Sequence, residues 1–279
     1  SFFQWDRDCS RGETSRYSNL PWLSFQPLWG KGIGSHHVRQ GAVGNCWFLS
    51  ALAVIAERPH LVRQVISHTQ LNDVGIYQVN LCLDGRWMSI IIDSHLPIVQ
   101  QGKKKRPTEF RGIVGNHDFV PAFCDVPNGQ LWPALIEKAY AKAHGSYAQL
   151  SGGFIAEALQ DLTGAPTETL VFQQDTNNVE WQELLWARLL SFQESKFLMG
   201  VATSQGGDGL VGGHAYSVLD VLEFQNVRVG EQQRMTDFFR SGGPVKKKQR
   251  TTVRLLRIRN PWGKREWKGE WSVNSEKWT

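Results

Sequence analysis

The chain has 279 residues, 41% hydrophobic and 20% charged, which is enough apolar content for a sizeable core and too much for disorder. Its 31 Lys and Arg against 26 Asp and Glu leave a net charge of +5, too mild to imply a nucleic-acid partner. The longest uncharged run, Gln40 to Ala56, is 17 residues with polar members, short of the about 20 apolar residues of a membrane-spanning helix.

Residues 1–44 are rich in Trp, Pro, Ser and Gly without sustained periodicity and read as an irregular leading segment. The leading SFFQWDRDCS lacks a basic stretch followed by an apolar run, so no signal peptide is expected there. From Asn45 to Glu57 the sequence is apolar on every side, which predicts a helix buried all round and stopped by Pro59. Leu61 to Ser67 continues as a short second helix. Ile76 to Leu83 alternates apolar and polar residues, and Asp84-Gly85 then joins it to Arg86–Ile92, the pattern of a β-hairpin. Residues 100–129 read as a long loop carrying a basic run at Lys103, Lys104, Lys105 and Arg106.

Leu131 to Ala143 is expected to be helical, with Pro133 accommodated in its first turn. Ser151-Gly152-Gly153 breaks the pattern and suggests a boundary, dividing the chain into 1–153 and 154–279. Phe154 to Leu162 predicts a further helix closed by Gly164 and Pro166, and Val179 to Phe192 an amphipathic helix with Trp181 and Trp186. Phe197 to Thr203, His214 to Phe224 and Thr251 to Arg259 read as strands, with a polar loop carrying Lys246 to Lys248 between the last two. The layout is α+β: a mainly helical first half with one hairpin, then a helix or two and antiparallel strands. The two basic runs have no interleaved aromatic residues and read as solvated loops, so no nucleic-acid partner is expected.

The four cysteines, Cys9, Cys46, Cys82 and Cys124, show neither Cys-x-x-Cys spacing nor a nearby His pair, so neither zinc nor a disulfide framework is expected. A reduced, cytoplasmic protein fits this usage. Cys46 stands apart. It follows Gly44-Asn45, and Asn45 suits an N-cap, so Cys46 falls in the first turn of the buried helix, where free N–H groups favour negative charge. It reads either as a nucleophile or as one more small buried hydrophobe. A nucleophilic thiol needs a base. Of the eight histidines only His214 has a distinctive setting, following Gly212-Gly213 and opening the strand AYSVLDVLEF; a structural role is the other reading. Asn260 ends the next strand before Pro261 and Trp262. Its amide can orient the imidazole under the cover of Trp262, or it can serve only as turn chemistry. The order Cys, His, Asn is that of papain-like proteases, and an Asp in the third place, as a transglutaminase-like enzyme needs, is missing.

Four blocks carry a more specific likeness. QGAVGNCWFLSALA (Gln40 to Ala53), LWPALIEKAYAKAHGSY (Leu131 to Tyr147), GGHAYSVLDV (Gly212 to Val221) and RIRNPWGKREWKGEWS (Arg257 to Ser272) resemble the calpain cysteine proteases. The likeness runs from about Val38 onward. CWFLSALAVIAERP and HGSY look most like the small-optic-lobes branch. The resemblance implies a papain-like core of two subdomains with the active site in the cleft between them, cleaving proteins inside the cell. It implies Cys46 as nucleophile, His214 as general base and acid, Asn260 as orienting residue, Gln40 as oxyanion donor and Trp262 as support beside the Asn–His bond.

The family's calcium positions are altered here. His37 and Gln130 stand where acids are usual in the first half. In the second half Glu266 matches an acid and Val273 replaces one, and the chain stops before the last strands. A hard cation wants carboxylate oxygens. The expectation is therefore no required cofactor, calcium at most through Glu266, a C-terminal subdomain short of its end, and flanking domains outside the chain. The competing reading is an inactive binding or scaffold module on the same fold.

Overall fold

The computed structural model describes residues 22–24, 32–67, 75–100, 112–114, 117–127, 130–172, 178–228, 250–264, 267–273 and 275–278. Glu266, Cys9, the run Lys103–Arg106 and the loop with Lys246–Lys248 lie outside these residues, as does most of the leading segment. No helix of the described residues is long and apolar enough to cross a membrane.

The central element is α1 (Cys46–Ala56), in which every residue from Trp47 to Ala56 is buried. A helix apolar all round can lose its hydration cost only if it is covered on all sides. Helix α2 (Pro59–Val65), helix α4 (Ile155–Thr163), strand β7 (Met199–Thr203), strand β8 (His214–Arg228) and the 3₁₀ turn Ser35–His37 surround it. Phe48, Leu49, Leu52 and Ile55 are each 0% exposed. Burial of such a side chain contributes about 1.5–3 kcal/mol.

The hairpin forms as the sequence predicts. Strands β2 (Ile76–Leu83) and β3 (Arg86–Asp93) pair antiparallel throughout, and Asp84 and Gly85 take φ of 51° and 72°, the left-handed turn that matches strand twist. Helix α3 (Trp132–Ala143) packs on β2 and β3. The stretch read as one long loop is partly sheet. Strand β1 (Trp22–Ser24), strand β4 (His95–Gln100), strand β5 (Gly112–Val114) and strand β6 (His117–Pro121) form an antiparallel sheet in the order β1-β4-β6-β5. Runs of three to six residues are too short for a period of two to stand out, so the first half carries more strand than its sequence suggests.

The second half is built on the antiparallel sheet β7-β8-β9, with strand β9 running Arg250–Arg259. Helix α5 (Val179–Glu194) departs from the amphipathic expectation, because none of its residues is buried. Polar bonds hold it to the sheet instead: Trp186 Nε1 donates to Glu223 at 2.7 Å, Gln193 to Asp220 at 2.9 Å, and Arg254 makes a two-pronged pair with Glu183. Its apolar residues are dispersed around the helix, so they form no single stripe to bury.

One reciprocal pair joins α1 to β8. Ser50 Oγ donates to the Ala215 carbonyl at 3.0 Å, and Ser217 Oγ donates to the Ser50 carbonyl at 2.8 Å; both serines are 0% exposed. Replacing either serine by alanine removes one buried hydrogen bond across this seam. Each of Ser50→Ala and Ser217→Ala is expected to lower stability by about 0.5–1.5 kcal/mol in urea denaturation. A change below about 0.3 kcal/mol in both would remove the seam from the stability argument.

Candidate active site

Cys46 and Ser50 are one turn apart and share a face of α1. Ser50 is fastened to Ala215, the residue after His214. The start of α1 is therefore carried to the start of β8, and Cys46 and His214 are brought to the same end of the α1–β8 contact. Cys46 is partly exposed, whereas Cys82 and Cys124 are 4% and 1% exposed, and all three are free thiols. Burial, then the charge of Glu137, pushes the Cys124 thiol well up.

His214 is held by β9. Its Nε2 lies 2.9 Å from Asn260 Oδ1, and the backbone N–H of Trp262 donates to the same oxygen at 3.0 Å. A backbone N–H can only donate, so the atom it meets is the amide oxygen, and His214 Nε2 must carry the hydrogen. That leaves Nδ1 as the basic nitrogen. The Trp262 ring sits 4.4 Å from the imidazole centroid, and Tyr216 meets it edge-on at 4.9 Å. His214 is 4% exposed. Burial lowers its pKa below the ordinary imidazole value, and the Asn260 hydrogen bond opposes that shift. Gly213, with φ of 61°, turns the chain into the strand at a geometry a side chain resists.

The loop from Gln40 to Asn45 is fixed on several sides. Gln40 N–H donates to the Pro261 carbonyl at 2.9 Å, crossing to the element that carries Asn260. Gln40 Nε2 donates to the Val43 carbonyl at 2.7 Å, which leaves its second hydrogen for another acceptor. Ala42 N–H donates to Ala122 O, and Gly44 O accepts from Gly152 N–H. Gly41 is required by close approach, since a Cβ there would lie 1.5 Å from the Phe123 carbonyl oxygen. Asn45 occupies the N-cap position, but its side chain does not cap the helix. It donates instead to Glu137 Oε1 at 2.6 Å. The capping expectation thus fails because a buried carboxylate competes for the same amide.

The burial of three residues escaped the sequence reading. Glu137 looked like an ordinary polar position of α3 but is 1% exposed. Arg259 reaches from β9 to donate to the Val38 carbonyl, and burial, followed by the nearby charge of Arg39, brings its pKa down to about 10. His37, grouped with the unremarkable histidines, is 4% exposed, and burial, then His36 and Arg259, drives its pKa down to about 4. No side-chain spacing announces these, because each depends on what another segment brings. Gln130 is 0% exposed and Val273 is 71% exposed. Among the described residues no three His, Cys, Asp or Glu side chains gather as a metal-binding group.

The structure thus sets a cysteine at a helix start, a buried His bonded through Nε2 to an amide oxygen, and an aromatic ring over that bond. Comparison with known sequences agrees: the family profile described as Calpain family cysteine protease matches residues 15–279. The chain belongs to the calpain family of cysteine proteases. It is 34% identical over 267 residues to the calpain-type cysteine protease DEK1 of Zea mays, covering 92% of this chain and 10% of that protein. It is 32% identical over 288 residues to calpain-5 of Mus musculus, covering 96% and 40% respectively, and 34% identical over 250 residues to calpain-12 of Homo sapiens, covering 86% and 28%. The chain thus spans well under half the length of these relatives.

The packing of Trp262 on His214 gives a direct test. Trp262→Ala opens the imidazole to water and removes the burial that lowers its pKa, so His214 should titrate closer to 6.5 by NMR. An unchanged or lower value in this variant would show that Trp262 does not shield the ring.

Proposed function

We propose that this chain is a cysteine endopeptidase of calpain type, acting on proteins inside the cell within a longer polypeptide. The observation that carries the reading is the fixed tautomer of His214: Asn260 holds Nε2–H, so Nδ1 is free to exchange a proton with Cys46, which the Ser50–Ala215 bond brings to the same end of β8. The Cys46 thiolate attacks the peptide carbonyl carbon. The proton on His214 Nδ1 passes to the leaving amine nitrogen, and a thioester remains. His214 then takes a proton from water as it attacks the thioester, the carboxylic acid product leaves, and the Cys46 thiolate is released beside protonated His214. The second Nε2 hydrogen of Gln40 and the backbone N–H of Cys46 serve the developing oxyanion. Residues 1–153 and 154–279 form the two subdomains of this reading, and the wording of the Cys46 block points to the small-optic-lobes branch.

The first-half position that takes calcium elsewhere in the family does not suit a divalent cation here. His37 is buried and neutral, Gln130 is an amide, and Arg259 places a guanidinium on the Val38 carbonyl. A hard cation there would meet the Arg259 guanidinium, with an imidazole and an amide at the two positions where the family has acids. No step of the mechanism is routed through calcium.

Labelling with an epoxysuccinyl probe is the test of the chemistry. One adduct on Cys46 is expected, absent in Cys46→Ala, while buried Cys82 and Cys124 stay unmodified. An unlabelled wild-type chain, with or without calcium, would favour a binding module instead. Gln40→Ala is expected to lower kcat by about 10²–10³ with KM little changed, because its donor acts on charge that appears in the transition state; a loss of tenfold or less would remove Gln40 from the oxyanion hole. Melting temperature should not move between chelator and about 1 mM calcium, since a ligand bound only by the folded state raises it. A rise of several degrees that Glu266→Gln abolishes would establish a working calcium site in the second half.

A further inference from the structure

Glu137 lies on α3 and is 1% exposed, and among the described residues no cationic side chain hydrogen-bonds to it. Its two oxygens are used separately. Oε1 accepts from Asn45 Nδ2 at 2.6 Å, and Oε2 accepts from the backbone N–H of Cys124 at 2.8 Å. Asn45 is the residue before Cys46. Cys124 belongs to the segment whose Ala122 carbonyl receives Ala42 N–H and whose Asp125 N–H donates to Arg39 O. Glu137 therefore ties the end of the Gln40–Cys46 loop to the same strip of backbone that holds its beginning.

We propose that Glu137, through Asn45, is a positioning residue that fixes the backbone N–H of Cys46 relative to the Gln40 side chain, and so sets the geometry of the oxyanion hole. The proposal rests on the catalytic reading above.

Asn45 suits this task in a way that an acid at the same place does not. Burial pushes the Glu137 carboxyl up to about 7, with the Cys124 and Asn45 hydrogen bonds opposing, so both protonation states occur near neutrality. An amide serves both. Its Nδ2 donates to the carboxylate, and its Oδ1, which is buried without a partner, can accept from the carboxylic acid after a flip. The ionisable groups nearest Glu137 are the Cys124 thiol and the Tyr147 phenol. Burial and the Glu137 charge push both well up, so both stay neutral in the working range. Asp93 acts on Tyr147, and Asp125 and Arg259 act on Cys124. Against this background Glu137 is the group in the contact that titrates.

An aspartate at position 45 can bond Glu137 only while one carboxyl keeps its proton, since two carboxylates at that separation cannot both ionise. Second-order labelling of Cys46 by the epoxysuccinyl probe is followed from pH 5.5 to 8.5 in the wild type, Asn45→Asp, and the double variant Asn45→Asp with Glu137→Gln. At pH 5.5 the Asn45→Asp rate should stay within about threefold of wild type. At pH 8.5 it should fall at least about tenfold below wild type, through the inactivation step rather than probe affinity. The double variant replaces carboxylate-plus-amide by amide-plus-carboxylate, and should return to within about threefold of wild type across the range. Melting temperature at each pH separates an unfolded variant from a misplaced loop. A ratio of Asn45→Asp to wild type that stays flat with pH, or a double variant no better than the single at pH 8.5, overturns the positioning role while Cys46 of the wild type still reacts. A wild type that takes no label overturns the catalytic reading and this role with it.

Discussion

A helix without a polar face has to be enclosed, and the enclosure of α1 ties its first turns to the start of β8. The Ser50–Ala215 and Ser217–Ser50 bonds add a directional constraint to that packing, because each buried hydroxyl is bonded to one carbonyl. Register along α1 then becomes register along β8. Cys46 and His214 are the first residues of these two elements.

A second link works from the far side. Gln40 N–H on Pro261 O and Arg259 on Val38 O place the residues flanking Asn260 against the loop that precedes the nucleophile. Asn260 thus sits between two crossing points, and it holds His214. A shift of β9 relative to the first half would disturb the Gln40 loop, Asn260 and the imidazole in one movement. Strand β9 and the segment before α1 are consequently coupled through hydrogen bonds of the chain itself.

The sequence made the longest features legible: α1 from its unbroken apolar run, the β2–β3 hairpin from Asp84-Gly85, α3 as a helical stretch with Pro133 in its first turn, and β8 and β9 from strand-like runs. It also singled out Cys46, His214, Asn260 and Trp262, because each stands at an element end where local chemistry is unusual. Short strands β1, β5 and β6 were not legible, since three to five residues cannot establish a period. Nor was the partnership of Asn45 with Glu137. Local rules make Asn45 a cap, and only the tertiary approach of α3 offers its amide a buried charge instead. Ser50 and Ser217 hid for the opposite reason: a serine in an apolar run looks like a tolerated exception until its carbonyl partner is known.

The buried ionisable groups around the nucleophile loop share one bias, which is toward neutrality. His37 titrates near 4 and Glu137 near 7, in each case because burial penalises the charged form. The consequences for stability run in opposite directions. His37 binds its proton more readily when unfolded, so its contribution is lost as pH falls from 6.5 toward 4. Glu137 binds its proton more readily when folded, so its contribution is lost as pH rises from 4.5 toward 7. Between about 4.5 and 6.5 the two contributions to stability therefore have opposite slopes with pH. Neutral His37 also spares Arg259 a second cation at the Val38 carbonyl, so the latch between the halves and the silence of His37 depend on the same burial.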